Sequence, residues 1–470
     1  MYHTTRFRFS IIISLLVIFC TSFTYFTAPH VEAQTPEPHI SLSPKSGPPT
    51  SAVKVNGKDF GVNETVVIQF DSSQVGTAMT DSTGAFTTKI TVPGSAQPGN
   101  HVVQAVGQSS GLSAHRTFLV QTSWAMYSFD QRRTGFNPYE NTLNTSNVSS
   151  LALDWSFTTG FEIYSSAAVV DGVVYFGSWD DNLYALNATT GIMLWSFTTG
   201  EEIESSPTVV GGVVYFGSND GKVYALNARK GTLIWSFTTE YDNISSPLVA
   251  GNVVYFGSTN WNFYALNART GSLLWSYPME DGVNSSPGIA NGIVYVGDSD
   301  AQVYALDART GTLIWSFIAG NVVSSSMTVA DGILYFGCGD GKVYALNAKT
   351  GTELWSFATG GPTSSLAVAN GVVYFGSWDE NVYALDAKTG TKLWSVPTGN
   401  IVDSSPIEAN GVVYVGSDDQ KVYALDAATG TRLWSFPTSG PIATSPTVVN
   451  GMVFIGSRDD TLYTFHLPNG

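Results

Sequence analysis

The chain has 470 residues, a formal net charge of −16 and only 12% charged residues. With 21 Lys and Arg against 37 Asp and Glu there is no basic stripe to meet phosphates, which excludes a nucleic-acid partner. Two cysteines, one of them in the apolar N-terminal stretch, exclude an internal disulfide framework in a processed chain.

Residues 1–33 read as an export signal: Arg6 and Arg8 are followed by an apolar run from Ile11 to Phe26, and Val31-Glu-Ala33 has the small-residue pattern of a cleavage site. An uncleaved anchor is the alternative. A lipid-modified Cys20 is disfavoured, because Phe19 stands where a small residue belongs. The expected location is extracytoplasmic, with no transmembrane segment after cleavage. Cys338 replaces the Ser of a Gly-Ser turn and reads as a small turn or core residue.

Residues 35–121 carry short strands such as Thr65-Val-Val-Ile-Gln-Phe70 and Ala85-Phe-Thr-Thr-Lys-Ile-Thr-Val92 between Gly, Pro and Asp-Ser turns, a pattern that predicts a small β-sandwich. Through Ser43-Pro-Lys-Ser-Gly47 and Asn56-Gly-Lys-Asp-Phe-Gly61 this region resembles the Ig-like modules of bacterial surface proteins, which implies spacing or adhesion. Residues 122–150, with Trp124, Arg132-Arg-Thr-Gly-Phe-Asn-Pro138 and Asn144-Thr-Ser-Asn-Val148, form a polar connector whose aromatics should pack against the C-terminal domain.

From 151 to 470 one unit repeats. Trp155, Trp195, Trp235, Trp275, Trp315, Trp355, Trp394 and Trp434 are 40 residues apart, or 39 from Trp355 to Trp394. Each unit has four β-rich runs, as in Thr208-Val-Val210, Val213-Val-Tyr-Phe216, Val223-Tyr-Ala-Leu226 and Leu233-Ile-Trp-Ser-Phe237. Asn-Gly or Asp-Gly joins the first two runs in most copies and suits a type I′ hairpin. The unit is therefore a four-stranded antiparallel meander, and stacking meanders around an axis gives a β-propeller. The fold class is all-β, with eight blades: the final unit stops after three strands, and Leu151-Ala-Leu-Asp-Trp-Ser-Phe157 is a fourth strand without a blade. Trp155 and its seven counterparts are the expected docking wedges between blades, and truncating one should cost about 3–5 kcal/mol.

In a meander, one rim carries the links between strands one and two and between three and four; these are monotonous here. The other rim varies from copy to copy, and varied loops on a rigid frame are where binding sits. Its candidates are Trp179, Trp261 and Trp378, for stacking on a sugar or clamping a partner, and Glu204, Asn284 and Asp403 near the axis, where a hard cation such as Ca²⁺ is conceivable. The bland readings are packing against adjacent turns and a solvated acidic rim. The recurring serine pairs read as structural, lining the channel and bonding between blades. No histidine of the processed chain lies in a motif beside a serine, so no catalytic residue is assigned.

The stretch Ala225-Leu-Asn-Ala-Arg-Lys-Gly-Thr-Leu-Ile-Trp235 resembles the tryptophan-docking repeat of quinoprotein alcohol dehydrogenases, the PQQ-like propellers. For an enzyme the resemblance implies PQQ with Ca²⁺, adjacent cysteines and large insertions that build a pocket. This chain has no Cys-Cys pair and nearly uninterrupted repeats. Non-enzymatic members, such as the propeller lipoprotein of outer-membrane assembly, use the repeat to bind proteins. The expectation is a monomeric binding or scaffold protein with a protein or glycan partner at the cell surface, with a PQQ-dependent dehydrogenase as the competing reading.

Overall fold

The computed structural model describes residues 36–239 and 244–468. The signal read over residues 1–33 lies outside the described residues, as do residues 241–243 of the third entry loop. No helix among the described residues is long and apolar enough to cross a membrane.

Apolar residues alternate along most of the N-terminal strands, so these give one face to a common core. A three-stranded sheet (His39–Ser43, Ala52–Lys58, Phe86–Thr91) and a five-stranded sheet ordered Ser46–Gly47, Ser113–Val120, Gly99–Gly107, Thr65–Phe70, Ser73–Met79 enclose a core of Val53, Val55, Val66, Ile68, Phe118 and their neighbours.

The repeats form a β-propeller. Among the described residues the repeat region contains eight sheets of four consecutive-neighbour strands, one of them extended by Phe136–Asn137. The first sheet is Ala168–Val170, Val173–Gly177, Asn182–Asn187 and Met193–Thr198, counting outward from the axis. The last contains Thr447–Val449, Met452–Gly456 and Thr461–His466, and its outermost strand is Ala152–Thr158, antiparallel to 461–466 with Ser156 opposite Tyr463. First strands of the eighth and first sheets are neighbours, so the sheets close on themselves. Asp171-Gly172 and Asn291-Gly292 have positive φ at both positions, as a type I′ hairpin demands.

Adjacent sheets are docked by one recurring contact. The Trp195 indole N–H donates to the Ala228 carbonyl of the next sheet at 3.0 Å, and the Tyr175 hydroxyl donates to the same oxygen at 3.1 Å. The indole lies flat on Gly231, where an added Cβ would come within 2.6 Å of the ring. Positive φ at this glycine (66°) and the close approach both exclude a side chain. Trp155 repeats the contact on Ala188 and Gly191 across the join, at 3.1 Å. Trp434 departs from the pattern: its indole donates to the Leu151 carbonyl at 3.0 Å, because the incoming strand supplies the acceptor there.

The same join leaves its mark on the seventh sheet. Tyr414 aligns with Tyr175, but its buried hydroxyl has no partner, and Glu140 and Glu408 lie near it. Glu408, 1% exposed, stands where the first strands of the other sheets carry Val, Ile or another apolar residue. One of its carboxyl oxygens accepts the Gly411 N–H at 2.7 Å and the other has no partner. Burial pushes its pKa up to about 7.

Both the dock and the buried carboxyl can be tested by substitution. Trp315 is partly exposed, so Trp315→Ala should cost about 3 kcal/mol, the low end of the range for such truncations, measured by urea unfolding; an unchanged midpoint would remove the indole as the dock. Glu408 favours its neutral form when folded. Its stabilising contribution is thus complete below the ordinary carboxyl range and lost as pH rises through about 7. Glu408→Gln should therefore be more stable than wild type at pH 8 by about 3 kcal/mol and nearly equal to it near pH 4.5. Parallel pH profiles of the two proteins would contradict this.

Candidate functional site: the open end of the propeller channel

Strand one of each sheet is the inner edge, and its backbone groups need partners. Residues 124–137 supply them to every sheet in turn. Trp124 exchanges hydrogen bonds with Val169 at 2.7 and 2.8 Å, and Val209 N–H donates to the Ala125 carbonyl at 2.7 Å. The Gln131 amide donates to the Val249 carbonyl at 3.1 Å. The Ile289, Val329, Val368 and Glu408 N–H groups donate to the carbonyls of Gln131, Arg132, Thr134 and Gly135. Asn137 reaches the Val448 carbonyl of the eighth sheet at 2.9 Å. The segment read as a polar connector is thus a buried plug on the side of the uniform rim.

Arg133 sits at its centre with no exposure. Its guanidinium donates to the carbonyls of Tyr127, Pro287, Ser246 and Pro247 at 2.8 to 3.3 Å. Burial lowers its pKa to about 10, which leaves it charged at neutral pH.

The opposite end stays open as a cavity of about 370 Å³. Its wall is a girdle formed by the second serine of each pair. The Ser166 N–H donates to Ser206 Oγ at 3.0 Å, Ser206 N–H to Ser246 Oγ at 2.9 Å, and Ser445 N–H to Ser166 Oγ at 2.9 Å across the join. The first serine stays within its own sheet, as Ser205 does with Gly217. Tyr127 of the plug rises to the girdle and bonds Ser405 Oγ at 2.8 Å.

Glu204 and Asp403 both line this mouth, with Tyr164 and Arg458. Asp403 accepts the Trp378 indole N–H at 2.9 Å, and Trp378 stays 48% exposed. Trp179 stacks on Tyr164 with ring centroids 4.5 Å apart and on Phe161 at 6.3 Å. The Arg458 guanidinium lies 4.8 Å over the Tyr164 ring and 4.0 Å from Asp418. Burial raises the pKa of Glu204. Burial also raises Asp418, which Arg458 opposes, and pushes Tyr164 up to about 12. An aromatic and ionic arc therefore runs round the mouth from Trp378 to Glu204.

Two of the expected site residues fall outside this arc. Trp261 is 57% exposed, but it occupies the third, positive-φ position of its turn (φ 64°), whereas Trp179 and Trp378 occupy the first. Asn284 is exposed, near Ser299 Oγ at 3.4 Å, and does not line the cavity. Sequence reasoning missed Tyr164, Arg458 and Tyr127. The substitution of Arg458 at the turn position of Trp179 and Trp378 was the available signal. The turn aspartates on this rim have a different role. Asp180 instead accepts the Tyr184 hydroxyl at 2.6 Å and the Gly160 N–H of the preceding sheet's loop at 2.7 Å, so it is a structural clip.

No group of three or more His, Cys, Asp or Glu side chains able to hold a metal ion occurs among the described residues. The one described cysteine, Cys338, is buried and donates to the Asn321 carbonyl at 3.2 Å, with its thiol pushed up to about 11 by burial.

Arg133→Ala would leave several carbonyls at the plug without donors and should lower stability by about 3–5 kcal/mol. Urea unfolding followed by tryptophan fluorescence measures it, and a loss under about 1 kcal/mol would show that the plug is not held by this residue.

Among solved structures, a europium-containing methanol dehydrogenase is 16% identical with a TM-score of 0.63, covering 73% of this chain and 98% of that one. BamB from Moraxella catarrhalis is 21% identical with a TM-score of 0.57, covering 67% and 99%. A quinohemoprotein alcohol dehydrogenase from Comamonas testosteroni is 17% identical with a TM-score of 0.64, covering 74% and 81%. These likenesses show the fold. No curated protein matches the chain. The profile described as outer membrane protein assembly factor BamB matches residues 141–286, 244–377, 299–404 and 378–470, and together with the tryptophan docks this makes the chain a member of that family of PQQ-like β-propellers.

Proposed function

We propose that this is an exported, non-catalytic binding or scaffold protein whose propeller meets a protein partner with its open rim. In this reading residues 1–33 are a signal, 35–121 an Ig-like spacer, 122–150 a connector that contains the plug, and 151–470 an eight-bladed ring that acts as a monomer outside the cytoplasm. The observation that carries the reading is the asymmetry of the two ends. One is sealed by 124–137, while the other presents exposed Trp378 beside Asp403, the Trp179–Tyr164–Arg458 stack and Glu204. Exposed aromatics beside charges at the rim of a rigid cavity are what protein contact sites are built from. Membership of a family described by an assembly factor supports a protein partner. A glycan is the second reading, favoured by the exposed face of Trp378 with an acceptor at its edge.

A photo-crosslinking residue at position 378, compared with one at exposed position 314 on the outer edge, tests this in the source cell envelope. One discrete adduct from 378 and none from 314 is expected, lost in Asp403→Asn. Stoichiometric binding of PQQ with Ca²⁺ and dye reduction by alcohols or sugars would overturn it in favour of a dehydrogenase.

A further inference from the structure

The repeat makes one missing side chain visible. The residue two after the docking tryptophan is aromatic in seven of the eight sheets, including Phe197, Phe237, Phe317 and Phe357, and is Val396 in the sixth. In the other sheets this ring packs against a tyrosine of the next one: Phe237 on Tyr264 with centroids 5.6 Å apart, Phe357 on Tyr383 at 5.9 Å. In five of them it also meets a second ring there, as Phe237 meets Phe256 at 6.4 Å. Between the sixth and seventh sheets both members of that second pair are absent, because Val415 stands where Phe256 would. Tyr423 remains in place, its hydroxyl donating to Asp419.

The result is a cavity of about 230 Å³ lined by Val382, Val396, Pro397, Tyr423, Leu425 and Arg432. An aliphatic cavity of about 150 Å³ already admits benzene, so the volume suffices for a six-membered ring. The charged residue at its edge narrows the ligand class. Arg432 opens the outermost strand of the seventh sheet, where the first four sheets have Met193, Leu233, Leu273 and Leu313. It is exposed, close enough to act on Tyr423, and in no ion pair among the described residues. A guanidinium presents paired N–H donors to a carboxylate.

We propose that this notch binds a monocyclic aromatic carboxylate, the ring replacing the missing phenylalanine against Tyr423 and the carboxylate meeting Arg432. The site is independent of the open rim, and nothing in it requires the proposed function to hold.

Benzoate is the probe, titrated into the full chain and followed by saturation-transfer NMR and calorimetry. A ligand this small should bind with a Kd on the order of 1 mM. Arg432→Gln, at an exposed position, should weaken benzoate at least about tenfold and leave toluene binding unchanged. Val396→Phe should abolish binding of both and raise the melting temperature. If Val396→Phe does not fold, the Arg432→Gln comparison decides. No benzoate binding by the wild type, equal benzoate affinity in Arg432→Gln, or retained binding in folded Val396→Phe would each overturn the assignment.

Discussion

Each outermost strand lays a tryptophan across the gap to the next sheet. In seven of the eight the indole N–H takes an alanine carbonyl there, and the ring covers a glycine that cannot carry a side chain. This contact sets both the spacing and the angle between sheets. It also explains why Ala, Gly and Trp recur at fixed offsets while the charged residues between them drift: the acceptor carbonyl, the left-handed glycine and the indole form one interlocked object. Because the tyrosine of strand two donates to the same carbonyl, most sheets are held at this node by two hydrogen bonds rather than one. The individual bonds are modest, but they are repeated around a closed ring and shielded by packed aromatic surface.

Closure imposes a different condition. The last sheet is completed by Ala152–Thr158, so the chain must return to its own beginning before the ring exists. The irregular features gather at this place. Trp434 finds the Leu151 carbonyl instead of an alanine's, Tyr414 loses its acceptor, and Glu408 is buried beside it with a raised pKa. A join made from two distant segments cannot repeat the geometry of a continuous unit, and it is where a departure from the repeat is tolerated.

The plug turns a symmetric ring into a two-ended molecule. A propeller channel exposes the inner backbone edge of every blade, and residues 124–137 satisfy that edge sheet by sheet, with Arg133 collecting carbonyls at the centre. The far end is left as a serine-lined mouth, and the side chains that differ between copies gather around part of it. Position in the ring, rather than residue type, makes Trp378, Asp403, Tyr164 and Arg458 neighbours: they come from the sixth, seventh, first and eighth sheets.

By itself the sequence determined the repeating unit, its four strands and the docking role of Trp155 and its counterparts, because these depend on contacts that recur at one fixed offset. It also separated a uniform rim from a varied one, since copies within a chain can be compared directly. Only the tertiary structure decided which varied residues meet. Asp403 and Trp378 are 25 residues apart and Tyr164 and Arg458 nearly 300, and no local pattern pairs them. Trp261 was grouped with Trp179 and Trp378 on composition, yet it sits two turn positions away, where positive φ sends its side chain along a different course. The plug was illegible for the same reason. Its packing against the C-terminal domain was expected from its aromatics, but its hydrogen bonds serve strands spread over the whole ring, so its role at the channel has no local signature.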